Sequence, residues 1–294
     1  MVISMAPFDA TDSVRVAQYR MTRAFADAGL PTPELDARFL MQSVIGIDGT
    51  AIITHPERSL GDRAEQLWHA MRRRLSHEPV ARIVGEREFY GRAFTVTPDV
   101  LDPRADSEAI IDLALEIAND KGWRDAPLRI ADIGTGSGIL AVTLLAEFPK
   151  ATAVATDISA EALAVAQANA RRHGVSERLT SAVTRGLQGV TGPFDLIVSN
   201  PPYIPTDDIS GLSVDVRNYD PWIALDGGAD GLHIYREIVN DVRSLCSLGW
   251  VILEVGAGQV DDVSSIFTTL SRLPPRMRQD LGGHPRAVAF EILC

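Results

Sequence analysis

With 294 residues, 46% hydrophobic and 23% charged, the chain has length for one large domain and one small one with a full core. Its net charge of −11 disfavours duplex DNA as the main partner, because that binding neutralises phosphates with a basic surface. Cys246 and Cys294 are too few for a disulfide framework. No charged leader with an apolar core opens the chain, and no run nears the roughly 20 apolar residues of a bilayer span, so a cytoplasmic location is expected.

Residues 1–12 are expected to fray. Val14, Ala17, Met21, Ala24, Phe25 and Ala28 recur at helical spacing, which predicts a helix over 13–28 ended by Gly29. Pro31-Thr32-Pro33 predicts a turn, with Thr32 as N-cap and Pro33 at the first helical position. The helix that follows, to about residue 45, should bury Leu35, Phe39, Leu40 and Val44. A further helix over 59–75 carries Ala64, Leu67, Trp68, Met71 and Leu75 as a core stripe. Arg72-Arg73-Arg74 reads as its solvated end, favoured by the helix dipole. Residues 78–84 read as extended, and 88–96 as a small hairpin around Gly91. The expected organisation is a helical domain over 1–82, a hairpin linker over 83–98 and a catalytic domain over 99–294. A helix opens near residue 107, capped by Ser107 or Asp106, and runs to about 119.

From residue 129 strands and helices alternate to the end, the signature of an α/β fold with a parallel sheet. A strand at 129–133 leads into Gly134-Thr135-Gly136-Ser137-Gly138 and an apolar helix. Glycines let backbone approach a ligand, and a helix start offers free N–H groups. The spacing is G-x-G-x-G. The dinucleotide fingerprint needs glycine at 139, where Ile139 stands. A second strand, 151–156, ends in Asp157, an acceptor suited to ribose hydroxyls. A helix over 159–173 and a strand over 179–183 follow.

A fourth apolar run, 194–198, leads into Ser199-Asn200-Pro201-Pro202-Tyr203. The two prolines forbid further ladder pairing and hold the chain extended. The Asn200 side-chain carbonyl and the Pro201 main-chain carbonyl can both accept from a planar NH2 group, and Tyr203 can stack on its face. An isolated N-P-P-Y reads equally as a Pro-rich turn with an Asn cap. The glycine loop and Asp157 upstream favour the chemical reading: a class I S-adenosylmethionine-dependent methyltransferase acting on an NH2 group. The stretch from 204 to 228 has no clear period and should shape a substrate site. A helix over 231–245, a strand over 250–255 holding Glu254, a helix over 260–270, and strands at 277–280 and 287–292 complete the chain. Glu254 is either catalytic or a buried strand-end carboxylate bonded to loops. The six histidines show no metal spacing, and no Ser-His-Asp elbow is present. His233 and His284 read as ordinary surface or satisfied residues.

The chain resembles the bacterial protein-(glutamine-N5) methyltransferases that modify peptide-chain release factors, the PrmC/HemK family. The resemblance covers nearly the whole chain. It rests on Glu34-Leu35-Asp36-Ala37-Arg38, the run from Glu78 to Tyr90, Asp132 to Gly138, Asp157, Asn200 to Tyr203, and Leu253-Glu254-Val255-Gly256. It implies a small helical N-terminal domain, a seven-stranded sheet and a Gly-Gly-Gln loop as substrate; the helical domain is expected to recognise the substrate, and no metal and a monomer are expected. Cofactor contacts are expected at Gly134, Thr135, Gly136, Ser137, Gly138, Asp157, Arg185 and Asn200. Substrate contacts are expected at Asn200, Pro201, Pro202 and Tyr203, with Asn200, Pro201 and Tyr203 catalytic. The chain departs from the family at two places. Asp102-Pro103-Arg104-Ala105-Asp106-Ser107-Glu108 replaces Ile-Pro-Arg-Pro-x-Thr-Glu, and Thr184-Arg185 replaces an acidic-aromatic pair near the adenine. The alternatives are a glutamine-bearing ribosomal protein as substrate, a nucleic-acid amino group at adenine N6 or guanine N2, and a non-catalytic cofactor-binding protein.

Overall fold

Val14–Asp27 forms α1, started by Ser13, whose hydroxyl accepts the Val16 N–H. It buries Val14, Ala17, Met21, Ala24 and Phe25, the face its periodicity predicts. This is the computed structural model of the chain, and it describes residues 6–245, 249–271, 273–280 and 282–292. Cys246, Cys294 and residues 1–5 of the expected frayed start lie outside the described residues. The chain divides into two units, Met1–Gly85 and Glu86–Cys294.

In the first unit, α2 (Pro33–Ile45) turns inward only part of the face expected: Leu40 is buried and Val44 packs partly against the core, but Leu35 and Phe39 do not. Ala37, Leu40, Met41 and Ile45 are buried, while Leu35 and Phe39 are exposed. The cause is a buried ion pair. Arg74 Nε donates to Asp36 Oδ2 at 2.7 Å, and the Thr32 hydroxyl donates to Asp36 Oδ1 at 2.8 Å. Thr32 therefore bonds a side chain and makes no side-chain cap, although Pro33 does hold the first turn. Arg74 is correspondingly a core residue and not part of a solvated helix end, while Arg73 pairs with Glu78. Short α3 (Gly49–Thr54) is capped by Asp48, and α4 (Ala64–Leu75) follows a single 3-10 turn. Residues 78–84 are not extended. Pro79 stands at the N-cap of α5 (Val80–Val84), and Gly85, at φ 80°, ends it.

The second unit opens with a hairpin, β1 (Glu86–Phe89) and β2 (Arg92–Thr95). Its turn places Tyr90 and Gly91 at φ 51° and 68°, the mirror-image geometry that matches strand twist. Phe89 and Phe94 pack into the core of this unit. Then α6 (Glu108–Lys121), β3 (Arg129–Ile133), α7 (Ile139–Glu147), β4 (Thr152–Asp157), α8 (Ala160–Arg172), β5 (Leu179–Val183) and β6 (Leu196–Ser199) alternate. The 204–228 stretch is folded: 3-10 turns at Thr206–Gly211 and Trp222–Ala224 flank α9 (Val214–Tyr219), and Ile204 bridges Asp226. Pieces of six residues or fewer, and of two different helix types, are too short for a period to show. α10 (His233–Leu245), β7 (Gly249–Glu254), α11 (Val260–Phe267), β8 (Arg276–Gln279) and β9 (Pro285–Ile292) finish the unit.

The seven strands lie in the order β5-β4-β3-β6-β7-β9-β8, with β9 antiparallel to both neighbours and the first five parallel. Both faces are covered, so residues alternate between two cores along each strand. Ile130 and Val198 pack with α6 and α7, whereas Ala131 and Ile197 pack with α10 and α11. The chain winds outward in opposite directions from β3 and β6. Their carboxyl ends form the crevice where open α/β sheets bind ligands. Among the described residues no helix is long and apolar enough to cross a membrane.

Candidate active site

Strand register builds the site. Ile133 pairs with Thr156 and with Ser199, and Ser199 pairs with Leu253. The next residues, Asp157, Gly134, Asn200 and Glu254, therefore follow in one row across four strand ends, although they lie far apart in sequence.

The glycine loop turns at Gly134, Gly136 and Gly138, with φ of 68°, 55° and 81°. Gly138 is a packing glycine: a Cβ there would stand 2.9 Å from Ala166 Cβ. Gly134 and Gly136 instead face open space. Asp157 Oδ2 accepts the Gly136 N–H at 2.9 Å, and its Oδ1 accepts the Ser159 N–H at 3.0 Å. From below, Asp132 Oδ2 accepts the Thr135 hydroxyl at 2.6 Å and the Ala141 N–H at 3.1 Å. Burial pushes the Asp132 carboxyl up to about 6, and Asp157 adds to the rise, while the two hydrogen bonds oppose it. The Ser137 carbonyl accepts Asn169 Nδ2 at 2.8 Å.

Gly134, Thr135, Gly136, Ser137, Asp157, Arg185, Asn200 and Pro202 all line one cavity of about 500 Å³. Gly138 lies behind it. Pro201 and Tyr203 line a second cavity of about 190 Å³, and Asn200 borders both. Arg185 Nε donates to the Glu237 carboxylate at 2.9 Å, and its Nη2 lies 3.3 Å from His233 Nε2. His233 and Glu237 also line the larger cavity, so this exposed histidine stands at the site's rim. Thr184 donates its N–H to the Asp157 carbonyl at 2.9 Å.

The N-P-P-Y segment is clamped from several sides. A Cβ on Gly231 would fall 2.4 Å from the Tyr203 carbonyl oxygen, so only glycine permits this approach. Gln259 Nε2 donates to that same carbonyl at 2.9 Å. The Tyr203 hydroxyl donates to Glu254 Oε1 at 3.1 Å; burial, then the Glu254 charge, pushes the phenol up. Glu254 is itself 2% exposed. Its Oε2 accepts the Ser107 hydroxyl at 2.5 Å, and Ser107 Oγ accepts Asn200 Nδ2 at 3.0 Å. Ser107 stands at the N-cap of α6, one of the two expected positions, but its side chain makes no cap hydrogen bond. Ser107 is bonded into the site, and Asp106 pairs with Arg286 at 3.3 Å.

The altered 102–108 segment is electrostatically balanced. Buried Asp102 lies 3.9 Å from Arg87 and 3.8 Å from Arg104. Arg104 donates to Asp220 at 2.8 Å, and Asp220 accepts the Asp102 N–H at 3.0 Å. The sequence places the 101–108 loop over the cofactor but does not single out Ser107, and it gives no sign of Gly231 or Gln259, since only the tertiary fold brings these residues to Tyr203 and Asn200. Among the described residues no cluster of His, Cys, Asp and Glu suits a metal ion.

A doubly wound sheet with a glycine loop after its first strand, an acidic residue ending the next and N-P-P-Y ending the fourth defines a class I methyltransferase domain. Residues 114–212 match the methyltransferase small domain, and residues 17–85 match the PrmC N-terminal domain. The chain is 40% identical over 280 residues to the release factor glutamine methyltransferase of Bradyrhizobium diazoefficiens, covering 94% of both. It is 38% identical over 284 residues to that of Agrobacterium fabrum, covering 96% of this chain and 98% of the other. The crystal structure of the hMettl16 catalytic domain in complex with MAT2A 3'UTR hairpin 6 shares the fold. Its TM-score is 0.56 and its identity 15%, over 70% of this chain and 77% of that one. The chain belongs to the release factor glutamine methyltransferase family, and it is a methyltransferase.

Proposed function

We propose that the protein transfers a methyl group from S-adenosylmethionine to the side-chain nitrogen of a glutamine in the Gly-Gly-Gln loop of a peptide-chain release factor. The observation that carries this reading is the place of Asn200. It borders both cavities, its Nδ2 is taken by Ser107, and its Oδ1 has no partner among the described residues. An acceptor between two cavities suits a donor NH2 that must meet a cofactor.

The larger cavity fits the cofactor. Its volume lies within the usual range of about 300–1,000 Å³ for small-molecule sites. Gly134 and Gly136 leave open space for close backbone approach, and Gly138 sets the helix against α8. The loop from Gly134 through Thr135, Gly136 and Ser137 to Gly138 would hold the methionine end. Asp157 would take the ribose hydroxyls with lone pairs not used by Gly136 and Ser159. Arg185 would border the adenine, its charge balanced by Glu237. When bound, S-adenosylmethionine supplies an electrophilic methyl on its sulfonium.

An amide nitrogen is a poor nucleophile because its lone pair is delocalised. Asn200 Oδ1 and the Pro201 carbonyl can accept its two hydrogens, orient it, and stabilise the positive charge it gains as the methyl–sulfur bond would break. One of those two protons, made acidic by methylation, then leaves to water or through Asn200. Tyr203, its hydroxyl held by Glu254, offers the ring that stacks on the amide plane. Pro201 and Pro202 keep this frame rigid. The smaller cavity, about 190 Å³, admits a slender segment, and glycines beside the target have no side chain to exclude. The helical first unit would recognise the protein substrate.

The test is mass spectrometry of a release factor incubated with enzyme and cofactor, with its Gln→Ala variant as control. One methyl on that glutamine is expected, and Asn200→Ala should lower turnover by about 10²–10³. Label on adenine or guanine with none on protein would overturn the reading.

A further inference from the structure

The hydrogen bonds that start at Asn200 continue past N-P-P-Y. Asn200 Nδ2 donates to Ser107 Oγ at 3.0 Å, and Ser107 Oγ donates to Glu254 Oε2 at 2.5 Å. Both Ser107 and Glu254 are buried, at 0% and 2% exposure. A hydroxyl has one proton to give. Facing an ionised carboxylate it gives that proton there, since the charge-assisted bond is the stronger. The Ser107 oxygen can then only accept, and it accepts from Asn200. The Asn200 amide is thereby set with its nitrogen toward Ser107 and its Oδ1 turned away. Turned over, the same amide would present its own NH2 to a substrate NH2, donor against donor.

We propose that Ser107 and Glu254 are positioning residues: ionised Glu254, acting through the Ser107 hydroxyl, fixes Asn200 with its carbonyl oxygen toward the methyl-accepting amide. This rests on the reading that Asn200 accepts from a substrate NH2. Protonation of Glu254 reverses the chain. A neutral carboxyl donates to Ser107 Oγ, Ser107 then donates to Asn200, and the amide turns. Burial pushes the Glu254 carboxyl up to about 7, and Asp106, on the turn before α6, raises it further. Ser107 on the same turn, Tyr203 after β6, and Arg286 on β9 oppose that rise. Tyr235 on α10 donates to the Glu254 main-chain carbonyl at 2.9 Å.

Two measurements test this. In the first, kcat for glutamine methylation is followed against pH. It should rise through about pH 7 in the wild type. Ser107→Ala should lower kcat roughly tenfold to a hundredfold, the usual effect of removing a partner that orients a ligating group. It should also abolish the pH limb. Ser107→Thr keeps the hydroxyl and should restore both rate and limb, while Glu254→Gln should flatten the limb. Glutamine methylation that keeps its rate and pH profile in Ser107→Ala overturns the proposal. The second measurement needs no activity: side-chain amide resonances of Asn200 in asparagine-labelled, cofactor-free protein. They should titrate near pH 7 in the wild type and stay flat in Ser107→Ala and Glu254→Gln. A wild type inactive on glutamine overturns the substrate reading alone, and the resonances still decide. A flat Asn200 in the wild type, or one that titrates unchanged in Ser107→Ala, overturns the relay.

Discussion

Asp157 holds the glycine loop from its own strand end, with one oxygen on Gly136 and the other on Ser159. Asp157→Ala removes the acceptor we propose for the ribose and also frees those two N–H groups. A hydrogen bond to a charged group contributes about 1.5–3 kcal/mol. Affinity for the demethylated cofactor should therefore fall roughly tenfold to a hundredfold. Calorimetry settles this, and unchanged affinity would remove Asp157 from the cofactor site. At this scale the sequence is legible where the chemistry is local. N-P-P-Y and G-x-G-x-G each declare themselves within a few residues. Ser107 does not, because its partners stand 93 and 147 positions away. Read locally, a serine before an apolar helix is a cap, and only the fold shows that its hydroxyl is engaged elsewhere. Glu254, left open between two roles by its sequence, is a buried carboxylate bonded to Tyr203 and Ser107.

At the scale of elements, long periodic segments were readable and short ones were not. α1 buries the face its spacing predicts, whereas α5 reads as extended from its sequence because five residues carry no period. α2 shows how a buried polar pair defeats a count of apolar residues. Asp36 faces inward with Arg74, so Leu35 and Phe39 turn out. Removing one partner of a buried pair leaves an uncompensated charge, which costs about 3–5 kcal/mol. Arg74→Met should destabilise the first unit by that order. Arg74→Met with Asp36→Leu should recover most of it, since an apolar replacement of the whole pair is often neutral. Urea denaturation of the single and double variants makes the comparison. A single variant as stable as wild type would show that the pair does not fix the helix face.

For the whole molecule, the α/β alternation was legible but the strand order was not, because which strands become neighbours is decided by crossovers and not by any one segment. The row Asp157, Gly134, Asn200 and Glu254 is a product of that order. All the residues lining the larger cavity belong to the second unit. Deleting residues 1–85 should thus leave affinity for the demethylated cofactor within about threefold. Methyl transfer to an intact release factor should fall sharply, and equal rates would show that the helical unit does not recognise the substrate. The same row makes stability depend on pH. Burial raises Asp132 from 3.8 to about 6 and Glu254 from 4.5 to about 7. Between those limits the unfolded chain has released protons that the folded chain keeps, so stability falls as pH rises. The contribution is fully present below about pH 4 and is lost as pH passes 6 to 7. The aspartates whose pKa is lowered, such as Asp230 at about 2, act in the opposite sense and only below that window. For Glu254 the rise from 4.5 to about 7 corresponds to about 3 kcal/mol. Glutamine has nearly the shape of the neutral acid and no charge to desolvate. Glu254→Gln should therefore leave stability near wild type at pH 4.5 and raise it by up to about 3 kcal/mol at pH 8, while methyl transfer at pH 8 declines. Chemical denaturation at the two pH values measures it. A gain at pH 8 with lost activity would mark Glu254 as a group kept charged for positioning at a cost to the fold. A loss of stability at both pH values would mark it as a structural acceptor for Ser107 and Tyr203.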